Sequence, residues 1–195
     1  MKAAVSTGCT LWNGGEFYGT ETTNSMTLMR RYFAEHPADA DKVVVCIKGG
    51  VDLSSGKPRP DGSAVMVRRS MDNILAQLDG TKKVDLFECA RRDPETPLAE
   101  TFGVLKEYAE RGVLGGISLS EVSAATIREA AGIAEIKAVE VELSLWSRDP
   151  LENGIAKACA EHGIPLMAYS PLGMGVSIFP NFLPSPFPKF PLPGN

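Results

Sequence analysis

Short β-branched runs alternate with longer segments of helical period along most of this chain, and few architectures accept that order. "KVVVCIKGG" (42–50) reads as a strand ending at a glycine pair. "SAVMVRRSMDNILAQLDG" (63–80) then places Val67, Met71, Ile74, Leu75 and Leu78 at helical spacing, with Ser63 as N-cap and Gly80 as terminator. "KVDLFECA" (83–90) is the next strand, and "TPLAETFGVLKEYAERG" (96–112) the next helix, with Thr96 as N-cap, Pro97 at its first position and Gly112 closing it. The order continues through strand "LGGISLS", helix "VSAATIREAAG", strand "IKAVEVEL", helix "PLENGIAKACAEHG" and strand "IPLMAYSPLG". With "CTLW" and a helix over 24–36 at the front, six strands enclose five helices. Such alternation implies parallel strands joined by right-handed crossovers, in either a doubly wound sheet or a barrel. Periodicity does not choose between them. No GxGxxG fingerprint follows the first strand, which counts against the doubly wound dinucleotide fold.

The polar residues narrow the function. Asn13 and Tyr18, Lys48, the "ECARRD" segment, Ser118 and Ser120, Glu140 and Glu142, and Ser170 all fall at or just past strand C-terminal ends. In a parallel barrel those ends converge on one face, where loops build the active site. A formal net charge of −4 offers no basic surface for nucleic acid or an anionic membrane. No apolar run reaches the roughly 20 residues a membrane span needs. "MKAAVSTGCTLW" lacks the apolar core of a signal peptide, so a cytoplasmic location is expected. Cys9, Cys46, Cys89 and Cys159 are dispersed with no metal-binding or redox spacing, and no metal site is expected. His36 and His162 fall at helix ends and read as surface residues.

Several of these motifs resemble the aldo-keto reductases, in order and with suitable separations. "WNGGEFYG" is similar to the family's strand-2 motif, in which an aspartate stands five residues before a tyrosine followed by glycine. "VVVCIKGG" resembles the strand-3 segment that carries the family's lysine. "KVDLFECARRDPETPLAETFGVLKEYAERGVLGGISLSEV" resembles the strand-4 to strand-5 region, and "ACAEHGIPLMAYSPLGMG" the strand-7 segment. The resemblance implies an incomplete (β/α)8 TIM barrel, strands 2 to 7 of the family barrel, over residues 1–175. It also implies NADPH as cofactor and a small-molecule aldehyde as substrate. Tyr18 would donate the proton that a carbonyl oxygen needs when its carbon receives hydride. An unperturbed tyrosine has a pKa of about 10, so the Lys48 ammonium would stabilise the phenolate left behind.

Two positions depart from the family pattern. Asn13 stands where the aspartate is usual, able to hydrogen-bond to Lys48 but without the carboxylate. Ala90 stands where a histidine is usual, leaving space beside the carbonyl. The forms "NGGEFYG" and "DLFECARRDP" are most similar to the fungal pyridoxal reductase branch, which implies reduction of pyridoxal to pyridoxine. Another aldehyde or ketone is the alternative, as is a non-catalytic remnant or interaction protein. For the cofactor, the resemblance assigns Ser118 to the nicotinamide carboxamide, Trp146 to stacking on the ring, and Ser170 and Leu172 to the diphosphate, with Glu140 as a further cofactor contact. Leu119 replaces the asparagine that usually follows the serine, and Glu140 a common glutamine.

The resemblance starts at strand 2 and stops after strand 7, so the chain is expected to be truncated. Residues 176–195, "VSIFPNFLPSPFPKFPLPGN", hold prolines too densely for a helix or a central strand, and are expected to form an irregular tail of polyproline II character.

Overall fold

The computed structural model describes residues 1–175; the expected proline-rich tail lies outside the described residues. A short helix α1 (Lys2–Ser6) precedes strand β1 (Leu11–Gly15) and helix α2 (Ser25–Glu35). Strand β2 (Val44–Gly49) leads into a small antiparallel hairpin, β3 (Val51–Asp52) and β4 (Arg59–Pro60). Then come helix α3 (Ala64–Leu78), strand β5 (Val84–Cys89), helix α4 (Leu98–Glu110), strand β6 (Leu114–Ser120) and helix α5 (Ala124–Ile133). Strand β7 (Ile136–Glu142), helices α6 (Asp149–Glu152) and α7 (Ile155–Glu161) and strand β8 (Leu166–Tyr169) follow.

The main sheet runs β1-β2-β5-β6-β7-β8, parallel at every pairing, so each crossover from one strand to its neighbour carries a helix. Four strand-to-strand steps separate β1 from β7. In a flat sheet at roughly 4.8 Å per step, these strands would stand about 19 Å apart. The Asn13 amide of β1 nevertheless donates a hydrogen bond to the Glu140 carboxylate of β7. Only a curled sheet allows that contact. Lys48 of β2 also meets Glu140, three steps away. The six strands therefore form part of a barrel with the helices outside, which decides the architecture that periodicity left open.

Strand residues alternate between the two faces. Val45 and Ile47 point towards the helices, while Cys46 and Lys48 point into the concave side. The helices cover the outer face with single apolar stripes: Met26, Met29, Tyr32 and Phe33 on α2, and Val67, Met71, Ile74 and Leu78 on α3. Burying one such aliphatic or aromatic side chain contributes about 1.5–3 kcal/mol. Gly49 explains half of the glycine pair after Lys48, since a Cβ there would lie 2.7 Å from the Phe87 ring.

Helix boundaries follow local chemistry. Ser63 caps α3 by accepting from the Met66 amide, and Asp79 and Gly80 end the helix in left-handed conformations. Thr96 does not cap α4 as expected. Its hydroxyl donates to Asp93 at 2.6 Å, holding the β5–α4 loop, and the helix starts at Leu98 after Pro97. The single helix expected over 150–163 is two, because Gly154 at φ +89 breaks it and the Asn153 side chain caps the restart at the Ile155 amide.

Asn24 holds the start of α2 through a capping box with Thr27, and its amide also reaches the Gln77 side chain of α3 at 2.6 Å. Asn24→Ala removes the cap and the bridge together. Loss of about 1–2 kcal/mol of unfolding free energy is expected, read as a lower urea midpoint with unchanged slope.

Candidate active site

The concave face carries a buried ionic cluster at the C-terminal ends of β2, β5 and β7. Lys48 Nζ lies 2.7 Å from Glu88 Oε1 and 2.5 Å from Glu140 Oε1, with all three side chains almost fully withdrawn from solvent. The Glu140 contact is a well-formed hydrogen bond, whereas Glu88 Oε1 has charge contact without an aligned donor. Glu88 Oε2 accepts from the Ser118 hydroxyl at 2.9 Å, and that hydroxyl meets Cys46 Sγ at 3.2 Å. The other oxygen of Glu140 accepts from Asn13. Asn13 therefore reaches the lysine's partner, and not Lys48 itself as the sequence suggested.

One ammonium thus faces two buried carboxylates. Burial disfavours the charged form of each group, and a like charge nearby adds to that cost for a carboxylate. The Glu88 carboxyl is pushed up to about 7 by burial, against the pull of Lys48 and with the help of Glu140. Burial alone would depress the Lys48 ammonium, but the two carboxylates more than offset it and its pKa is raised. Cys46, Glu88 and Glu140 place three potential metal-ligating atoms within 4.8 Å of one another. Lys48 already occupies the space between the carboxylates, and burial drives the Cys46 thiol upward, away from the thiolate a metal takes.

Tyr18 sits in the loop after β1, and the surrounding glycines explain its motif. A Cβ on Gly15 would lie 3.0 Å from the Tyr18 ring, so the ring lies over this glycine. Gly15 is two residues beyond Asn13, on the same concave face, and its register partner is Lys48. Gly14 faces the other way, towards Met29 and Ser25 of α2. Gly19 turns the chain at φ +121, where a side chain would also meet Asn24 Cα at 2.8 Å. The Tyr18 ring, carried by the loop after β1, thus lies on the concave side that Lys48 of β2 also faces. Tyr18 is 45 % exposed, whereas Lys48 is buried.

The proposed cofactor residues divide into two groups. Ser118 and Glu140 are committed to the Lys48 cluster. Trp146, 58 % exposed, packs against the turn after β8, where a Cβ on Gly173 would lie 3.1 Å from its ring. Ser170 and Leu172 belong to that same turn, and Ser170 holds a left-handed conformation at φ +50. Ala90 is buried at the end of β5, its amide bonded to the Gly49 carbonyl. Glu88 was visible in the sequence as part of "ECARRD", yet nothing distinguished it from the other charges there. Its only signal was an acid on the same strand face as Val84 and Leu86.

The Aldo/keto reductase family matches residues 1–177. The chain is 42 % identical over 177 residues to a probable pyridoxal reductase 2 of Schizosaccharomyces pombe, covering 90 % of this chain and 53 % of that protein. It is 42 % identical over 176 residues to a putative pyridoxal reductase of Saccharomyces cerevisiae, covering 85 % and 49 %. The chain thus spans about half the length of the curated relatives it matches. Among solved structures, a thermostable aldo-keto reductase in complex with the inhibitor epalrestat superposes with a TM-score of 0.75 at 25 % identity, over 89 % of this chain and 60 % of that one. Among the described residues, no helix is long and apolar enough to cross a membrane.

The cluster has a consequence for stability against pH. A glutamate with its folded pKa raised from 4.5 to about 7 keeps its proton in the folded state while the unfolded chain loses it. Its contribution to stability therefore declines as pH rises from about 4.5 to 7. Glu88→Gln leaves one ammonium with one carboxylate and removes this decline. Urea unfolding at several pH values should show a flatter profile across that window; an unchanged slope would place the titration elsewhere.

Proposed function

Because the chain belongs to the Aldo/keto reductase family, we propose that it carries the proton-donating part of an NADPH-dependent reductase acting on an aldehyde, with pyridoxal as the substrate. The observation that carries this reading is the placement of an exposed tyrosine over Gly15, beside the strand position that holds Lys48. The pyridoxal reductase names of the two fungal relatives support the substrate.

Reduction of an aldehyde forms a C–H bond at the carbonyl carbon and an O–H bond at its oxygen. A bound nicotinamide cofactor supplies the hydride for the first. The chain's own task is the second, and Tyr18 is placed to give its phenolic proton to the oxygen. Lys48 has three N–H donors, of which Glu88 and Glu140 take two directions, leaving one for a phenol or phenolate. Asn13 orients Glu140 and thereby the ammonium.

The rim residues fit a nicotinamide cofactor. Trp146 offers an exposed aromatic surface, and the Ser170–Gly173 turn approaches it closely because residue 173 has no side chain. Ser118 and Glu140 serve the ring only through the cluster they already join.

The test is pyridoxal reduction by the protein, followed by NADPH absorbance. Tyr18→Phe keeps the ring and removes the proton, so turnover should fall by about 10²–10⁴-fold while NADPH affinity, read by fluorescence titration, stays the same. Turnover that survives the substitution would leave the reaction with a different acid.

A further inference from the structure

The loop that carries Tyr18 is fastened to the fold by one carboxylate with an unusual number of donors. Glu16, two residues before the tyrosine, turns away from the concave face and reaches α3, where its side chain is only 7 % exposed. Arg69 grips it with two nitrogens, at 2.7 Å to Oε1 and 3.3 Å to Oε2. Asn73 donates to Oε1 at 2.7 Å, and the fully buried Ser70 donates to Oε2 at 2.7 Å. Ser70 in turn accepts from the Gly50 amide at 3.0 Å, just past Lys48, and the Glu16 amide donates to the Lys48 carbonyl at 2.8 Å. The end of β1, the end of β2 and one turn of α3 thus meet at a single side chain.

We infer that Glu16 is a positioning residue for Tyr18: by clamping the Tyr18 loop to α3 and to the end of β2, it fixes the phenol on the concave face. A surface glutamate held only for stability would not need three residues of one helix, nor share Ser70 with the backbone beside Lys48. Charge-assisted hydrogen bonds to a partly desolvated carboxylate are strong and directional, so this clamp resists sliding of the loop. The inference rests on Tyr18 acting as proton donor.

Its test is the split between turnover and binding. Glu16→Asp keeps the charge but is one methylene too short to hold all its partners. In pyridoxal reduction it should lower kcat by about 10-fold or more with KM and NADPH affinity little changed, because a displaced proton donor loses rate rather than binding. Glu16→Ala should lower kcat further. Glu16→Gln keeps the length and can still accept from Ser70 and Asn73, so it should recover part of the loss.

An unchanged kcat in Glu16→Asp and Glu16→Ala, with their thermal transitions intact, overturns the inference. If either variant does not fold, Asn73→Ala removes one donor without touching the loop, and a smaller loss of kcat is expected; unchanged kcat there counts against the clamp. Failure of the underlying reading looks different: Tyr18→Phe would leave turnover unchanged.

Discussion

The structure turns on one lysine ammonium held between two buried carboxylates. Lys48 and Glu88 face each other on adjacent strands, but Glu140 stands three strand steps from Lys48, so its contact with the lysine and the curl of the sheet require each other. Taking three charges out of water is expensive, and breaking such a group by removing one partner costs about 3–5 kcal/mol. Apolar side chains of similar volume would close the concave face with less penalty. Strongly shifted groups gather at functional sites, and this tendency supports the proposal that the cluster belongs to one.

Around that cluster, the backbone devices all act on position. Gly15 leaves room for the tyrosine ring, Gly19 turns the chain after it, and Gly49 admits Phe87 behind the lysine strand. Glu16 and Asn24 fasten the two ends of the tyrosine loop, one to α3 and the other to the start of α2 and to Gln77. Left-handed conformations at Glu121 and Ser170 fall just past β6 and β8, on the same rim. Backbone strain at a rim built from strand ends is expected where loops must aim side chains inward.

Much of this was legible in the residues. The strand–helix alternation predicted six parallel strands because a fully covered strand reads as an apolar run and a crossover helix as a 3.6-residue stripe. The family resemblance, rather than spacing, singled out Tyr18 in "GGEFYG" and Lys48 in "CIKGG" as proposed site residues. The helix break at Gly154 and the failed cap at Thr96 were not legible, since both depend on which partner a polar side chain finds: Asn153 for a new amide, and Asp93 for the threonine hydroxyl. Glu88 was hidden for the same reason. An acid in a strand declares its burial only when the neighbouring strands are known.

The sequence by itself determined the alternation of the six main strands with their crossover helices, the glycines that permit the tyrosine loop, and the gathering of polar residues at strand ends. Those properties are written in spacing along the chain. Tertiary structure alone decided which charges meet: that Lys48 takes Glu88 and Glu140 as partners, that Asn13 reaches Glu140, and that Glu16 turns outward to α3 while Tyr18 lies inward. Electrostatic partnership depends on distances across strands up to 127 positions apart in sequence. Those distances exist only once the sheet has curled.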